Sequence, residues 1–573
     1  MKILLSILVS LIINQFSLSF KCGHDSIFKN NTIKTIDIRT KKSKLRNLES
    51  TYHPIVFHID YSSINRRNIV NPDYIKKIET ALTHATQYLS ELLEVKNDYQ
   101  VKIDSPTSCD IDLIYSPQIV VDADIVIYPI IQTQRELGES VVAAARACLK
   151  DSTNRPIAGL VYLGSEYDFS KKNSDKYLEI VLMHEISHIL AFSSSLFDFF
   201  PNQPVYQKKV INGVERTLLT SPQVVKMARK HFGCENLTGV ELENQGGQGS
   251  ASSHWEGRVM LGDYMISTDY DEIVISDITL AVFEDSGWYK VHYYTGDLFR
   301  FGKNQGCSFL EDKCVKNGVA TFKKEFCTKS RKEMCFPGNM NKGICFISDY
   351  VDPLPEEYQY FNVASHGGFM PADYCPVPNV VPTPDYYFKT HCKYGETGQY
   401  PSELEEEVSD SSICIESSLT KKDIPSINKY RNVLRPICHQ ITCDKEKEEI
   451  VIKIGSTFAH CPKNASDAVV VGYEGVILCP DYSRICEGSK LCNDLFDCII
   501  KKSLPPGVVD EVKSSSPPLF KSPSSSSSSS TPLSSSSSTS PSITSPSSSS
   551  QSSSSLFLHS SIFINILIFI LFI

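Results

Sequence analysis

Nineteen cysteines, thinly spread as far as Cys234 and dense from Cys307 to Cys498, constrain this 573-residue chain more than any other feature. Such density suits disulfides formed in an oxidising compartment and not cytosolic thiols. An odd count leaves at least one thiol over. The formal net charge of −9 is modest and dispersed, with no basic stripe to suggest nucleic acid as a partner. The length suffices for two or three full-sized cores.

The ends agree with an oxidising route. Residues 1–20, MKILLSILVSLIINQFSLSF, read as a signal peptide cut near Ser19 or Phe20. Residues 21–50 are polar and include the basic RTKKSKLRNL (39–48), which suits a pro-segment ending near a processing site. Triplets that accept N-glycans begin at Asn30, Asn236 and Asn464. Residues 501–555 become a stalk of Ser, Pro and Thr that cannot bury a core. The apolar tail 556–573, LFLHSSIFINILIFILFI, has no basic stop after it. A small-residue tract followed by such a tail is expected to direct a GPI anchor at the outer face of the plasma membrane, the alternative being a single C-terminal spanning helix.

Between the ends, YHPIVFHIDY (52–61) is expected as a strand and NPDYIKKIETALTHATQYLSELLEVK (71–96) as a helix behind an Asn-Pro start. ADIVIYPIIQ (123–132) and AGLVYLG (158–164) are expected as strands, with VVAAARAC (141–148) as a helix between them. SDKYLEIVLMHEISHILAF (174–192) reads as a helix capped by Ser174-Asp175. EIVIKIG (449–455) is a β-like run in the cysteine-rich region.

Within the 174–192 helix, His184 and His188 lie one turn apart on one face and can aim imidazole nitrogens at one metal ion. Glu185 sits beside the first, where it can take a proton from water without occupying the metal. A chain of this composition shows that spacing by chance only ~0.02 times. The competing reading is a core helix with satisfied histidines, but burying two stacked imidazoles without a partner is costly. A catalytic zinc needs a third protein ligand. The short metzincin form would place a histidine six residues after His188, beyond a turn glycine; those positions hold Ser194 and Ala191. If residue 191 needed positive φ, its methyl group would cost about 1 kcal/mol.

GGQGSASSHWEGR (246–258) and GDYMIS (262–267) carry a specific resemblance to the leishmanolysin family, metzincins whose third ligand follows a long insertion. The match continues through ITLAVFEDSGWY (278–289), FGKNQGCSFLEDKC (301–314), GGFMPADYCPV (367–377) and GYEGVILCPDYSRIC (472–486), and upstream through AARACLKDSTNRPIAGLVYL (144–163). The resemblance implies His254 as third zinc ligand, Met265 as the Met-turn floor, and Glu185 as general base of a metalloendopeptidase that binds one zinc ion per chain and cleaves proteins or peptides. It implies an α+β fold: a metzincin-type catalytic domain over 51–300, with a twisted mixed sheet and active-site helix, then a disulfide-rich, mainly-β domain over 301–500. KCGHD (21–25) is similar to the family's pro-segments, which implies that Cys22 is a zymogen switch occupying the fourth zinc position, with His24 as accessory. The remaining eighteen cysteines then suffice for nine bridges. The family also implies a part in cell adhesion, and a catalytically silent surface antigen or adhesin of the same shape is the rival reading.

Overall fold

The computed structural model describes residues 22, 24, 33–35, 52–66, 72–96, 101–103, 109, 119–138, 141–245, 251–293, 298–380, 386–422, 424 and 429–487. The segments expected to act as signal peptide, stalk and anchor lie outside these residues, as do Asn30, Cys492, Cys498 and the basic stretch 39–48.

A five-stranded mixed sheet and two long helices position the site. The strands are β1 (Lys34–Thr35), β2 (Phe57–Ile59), β3 (Ile125–Gln132), β4 (Ala143–Lys150) and β5 (Pro156–Gly164), in the spatial order β1-β4-β5-β3-β2. β4 runs antiparallel to β5, and the other neighbours are parallel. The stretch expected as one strand from 52 breaks into His53–Pro54 and β2.

Helix α1 (Pro72–Leu92) buries Ile78, Ala81, Leu82, Ala85, Leu89 and Leu92, a three-four spacing that makes one apolar stripe. That stripe covers helix α2 (Ser174–Leu190), which is buried on almost every side. Its apolar length would pass for a membrane span, but it is the core helix of this fold. Asn173, in the left-handed region at φ 63°, is its N-cap, in place of the expected Ser174-Asp175 pair.

One expectation fails. VVAAARAC does not form a helix; it supplies β4, all eight of whose residues are buried. Alanine's helix propensity is a weak preference that tertiary packing overrides. Here small side chains are needed, because Ala143, Ala145 and Ala147 share the core cluster with Ile186, Ile189 and Leu190 of α2. Gly159 on β5 completes this flat surface: a Cβ there would sit 2.3 Å from Ile189 Cγ2.

Beyond α2 come the hairpin β6 (Tyr206–Ile211) and β7 (Val214–Leu219), helix α3 (Pro222–Phe232), strand β8 (Val240–Leu242) and helix α4 (Asp277–Asp285). β8 adds to β7 to complete a three-stranded sheet. The described residues after α4 are mainly β and include an antiparallel six-stranded sheet. Its strands are β9 (Ser412–Ser417), β10 (Arg435–Asp444), β11 (Glu449–Ile454), β12 (Thr457–Pro462), β13 (Asp467–Ala468) and β14 (Ile477–Leu478), in the order β12-β11-β10-β9-β14-β13. Alternation in β11 buries Ile450, Ile452 and Ile454 in a separate apolar cluster.

Eight disulfides staple the described residues, and the buried Cys22 belongs to none of them. Buried polar ties hold the later chain in place. Glu272 accepts from the amides of Gly338 and Met340, each at 2.6 Å, and Arg484 donates to Glu325 at 2.7 Å.

The close seat of α2 on the sheet gives a test. Gly159→Ala should cost about 1–3 kcal/mol through overpacking, read as a lower denaturation midpoint, and adding Ile189→Ala should recover part of it. An unchanged midpoint in the single variant would show that the contact is not tight.

Candidate metal centre

Helix α2 places His184, Glu185 and His188 deep in the molecule, none more than 2% exposed. His184 Nδ1 lies 2.5 Å from the Tyr264 carbonyl, and His188 Nδ1 lies 2.6 Å from the Phe192 carbonyl. A carbonyl only accepts, so in each ring Nδ1 carries the proton and Nε2 presents its lone pair. The two Nε2 atoms are 3.0 Å apart. Burial keeps both rings neutral: it lowers His184 to about 4 and His188 well below its usual value. Two lone pairs facing each other at that distance repel unless a cation lies between them.

The third imidazole arrives on a backbone splint. Glu243 N donates to the His254 carbonyl at 2.9 Å, and Glu256 N donates to the Glu241 carbonyl at 3.0 Å, so residues 254–256 lie along β8 and its extension. On the other side Trp255 N donates to the Met265 carbonyl at 3.0 Å. His254 is thereby fixed between the insertion and the turn that carries Met265. One donor atom each from Cys22, His184, His188 and His254 lies within 4.8 Å of the others. Three imidazoles and a thiol form a donor set that fits zinc. Met265 is fully buried among the same core residues.

Glu185 is fully buried, and burial pushes its carboxyl up to about 8, opposed by hydrogen bonds from Cys22 and the Ala145 backbone. Cys22 Sγ lies 3.4 Å from Glu185 Oε1 and 3.5 Å from His188 Nε2. His24 stacks on His188 with ring centroids 4.1 Å apart, its Nε2 lies 2.9 Å from Ser193 Oγ, and its Nδ1 meets the Ala145 carbonyl.

Ala191 carries no left-handed strain. Its φ of −161° is extended, and the helix closes through amides of Ala191 and Phe192 donating to the Ser187 carbonyl at 3.1 and 2.9 Å. The α2 terminus does not need a glycine.

Several supports have no sequence signature. Tyr264 and Phe192 act through carbonyls, which any residue would supply. Asp263 is buried and accepts from Met265 N at 2.8 Å, Ser276 N at 3.1 Å and Thr279 Oγ1 at 2.7 Å. Thr279 Oγ1 in turn accepts from the Trp255 indole at 2.7 Å. This relay ties the Met265 turn and the N-terminus of α4 to the residue beside His254. A second buried acidic group, Glu241, Glu256 and Asp373, already has its cation: the Arg216 guanidinium lies 2.7 Å from Glu241 and 2.5 Å from Asp373. Asn236 and Asn464 are exposed.

The relay predicts that Thr279→Val, which strands the indole N–H and removes a donor from Asp263, lowers stability by about 1–3 kcal/mol. Thr279→Ser should restore it. Denaturant melts of the three proteins decide this, and equal midpoints for Val and Thr would dismiss the relay.

The sequence model of the leishmanolysin family matches residues 73–493. A leishmanolysin homolog of Crithidia fasciculata is 30% identical over 371 residues, covering 61% of this chain and 53% of its own length. Leishmanolysin of Leishmania donovani is 29% identical over 374 residues, covering 61% and 59%. A leishmanolysin-like peptidase of Drosophila pseudoobscura pseudoobscura is 28% identical over 428 residues, covering 62% of each. The chain therefore spans less than two thirds of the length of these relatives. With the family pattern matched across most of its length, the chain belongs to the leishmanolysin family.

Proposed function

We propose that the chain is a zinc-dependent metalloendopeptidase of metzincin type, cleaving extracellular proteins or peptides at the cell surface. The observation that carries this reading is the convergence of three imidazoles beside a buried glutamate. His184, His188 and His254 would hold the ion. When bound, zinc supplies Lewis acidity that makes water a competent nucleophile near neutral pH and polarises a carbonyl. Glu185 takes the proton from the attacking water and returns it to the leaving amine. Burial excludes bulk water, which strengthens each electrostatic contact in the cleft.

The same reading assigns residues 51–300 to the catalytic domain and 301–500 to a cysteine-rich buttress. The eight disulfides support an oxidising, extracellular setting. Met265 forms the apolar floor of the centre. Cys22 fills the position that water must take, so the chain is silent until the segment bearing it is removed.

Casein hydrolysis and zinc content, measured together on the processed protein, test the reading. Wild type should bind about one zinc per chain and lose activity to a chelator. Glu185→Ala should keep the zinc while activity falls at least about 10²-fold, whereas His254→Ala should lose the zinc. A zinc-loaded, processed wild type that cleaves no protein substrate would sink the peptidase reading and favour a silent adhesin.

The switch has its own test. Unprocessed Cys22→Ala should cleave substrate where unprocessed wild type does not. Equal silence of the two would remove Cys22 from regulation.

A further inference from the structure

The loop after α3 carries Asn236-Leu237-Thr238, with both Asn236 and Thr238 exposed. The loop is held in place: Leu237 N donates to the Cys234 carbonyl at 3.2 Å, and Arg229 Nε donates to the Leu237 carbonyl at 2.8 Å. Asn236 stands on the rim of a cavity of about 160 Å³. Its floor is mainly apolar, built from Leu218, Val240, Val259, Leu310 and the Cys234–Cys307 disulfide, with the buried Glu241 beside them. Its rim is polar, with Thr238 and the ion pair of Lys209 with Glu311 at 2.9 Å.

We propose that Asn236 carries an N-linked glycan whose first N-acetylglucosamine lies over this cavity and braces the insertion. The sugar has the matching chemistry. An acetyl methyl and one apolar ring face can turn toward the floor, while hydroxyls meet Lys209 and Glu311. In the transfer, Asn236 Nδ2 bonds to C1 of the sugar, loses a proton and displaces a lipid-linked pyrophosphate. Thr238 supplies the hydroxyl that the acceptor triplet requires. Covering the apolar part of the floor removes it from water. The site matters because Val240 opens β8, the strand whose extension splints His254. The proposal does not depend on zinc binding; it needs only passage through a secretory pathway.

The experiment uses the full chain from a eukaryotic secretory host. Peptide mapping should find Asn236 glycosylated. An endoglycosidase that leaves one N-acetylglucosamine then trims wild type, Asn236→Gln and Thr238→Ala alike, so that sugars elsewhere cancel. Trimmed wild type should melt with untrimmed wild type and roughly 2–4 °C above both trimmed variants. The two variants remove the same sugar by different changes, which separates its loss from damage by either substitution. An unmodified Asn236 overturns the proposal. So does a trimmed wild type that melts with the variants, because the first sugar would then not be the contact.

Discussion

The site depends on how closely helix α2 approaches the sheet. That distance is set by the absence of side-chain bulk: Gly159 on β5 lets Ile189 rest directly on backbone, and three alanines on β4 share the same core. A helix seated this low brings Glu185 within reach of the Ala145 backbone, and both histidines beside it are buried. The low seat and the neutral imidazoles are thus one constraint. Desolvation disfavours the protonated rings, and the carbonyls of Tyr264 and Phe192 fix which nitrogen is bare.

The third imidazole obeys different physics. His184 and His188 are tied by helical periodicity, so their relation is local and robust. His254 belongs to an extended segment, and its place comes from ladder hydrogen bonds on one side and the Met265 turn on the other. An insertion can therefore vary between His188 and β8 without moving the His254 imidazole, provided the splint survives. The Cys234–Cys307 bridge and the Arg216 cluster anchor that splint to the later chain.

What was legible in the sequence follows from this division. The HEISH spacing could be read because two residues four apart on a helix share a face whatever surrounds them. His254 and Met265 needed family likeness, since no local rule links a loop histidine to a helix far upstream. β4 was misread for the reason that makes it important: a run of alanines is a helix signal in isolation, and only the helix packed on it shows why small residues must be a strand. The N-cap was misplaced by one residue because Asn173 adopts the left-handed region, which asparagine tolerates. Tyr264, Phe192, Asp263 and Thr279 had no pattern to find, because they act through carbonyls or through a partner distant in the chain.

The segment that bears Cys22 uses the same small-residue strand. Lys34–Thr35 pairs in parallel with Leu149–Lys150 at one end of β4, and His24 meets the Ala145 carbonyl further along. The thiol is thus held in the centre by contacts that do not involve it: a backbone ladder, a ring stacked on His188, and the bond from His24 to Ser193. Ser193 Oγ also caps the short helix after α2 by accepting from Ser195 N. Holding a weakly bound group in place by remote anchors raises its local concentration without strengthening its own bond. On the proposed reading, a thiol fastened this way excludes water for as long as those anchors hold.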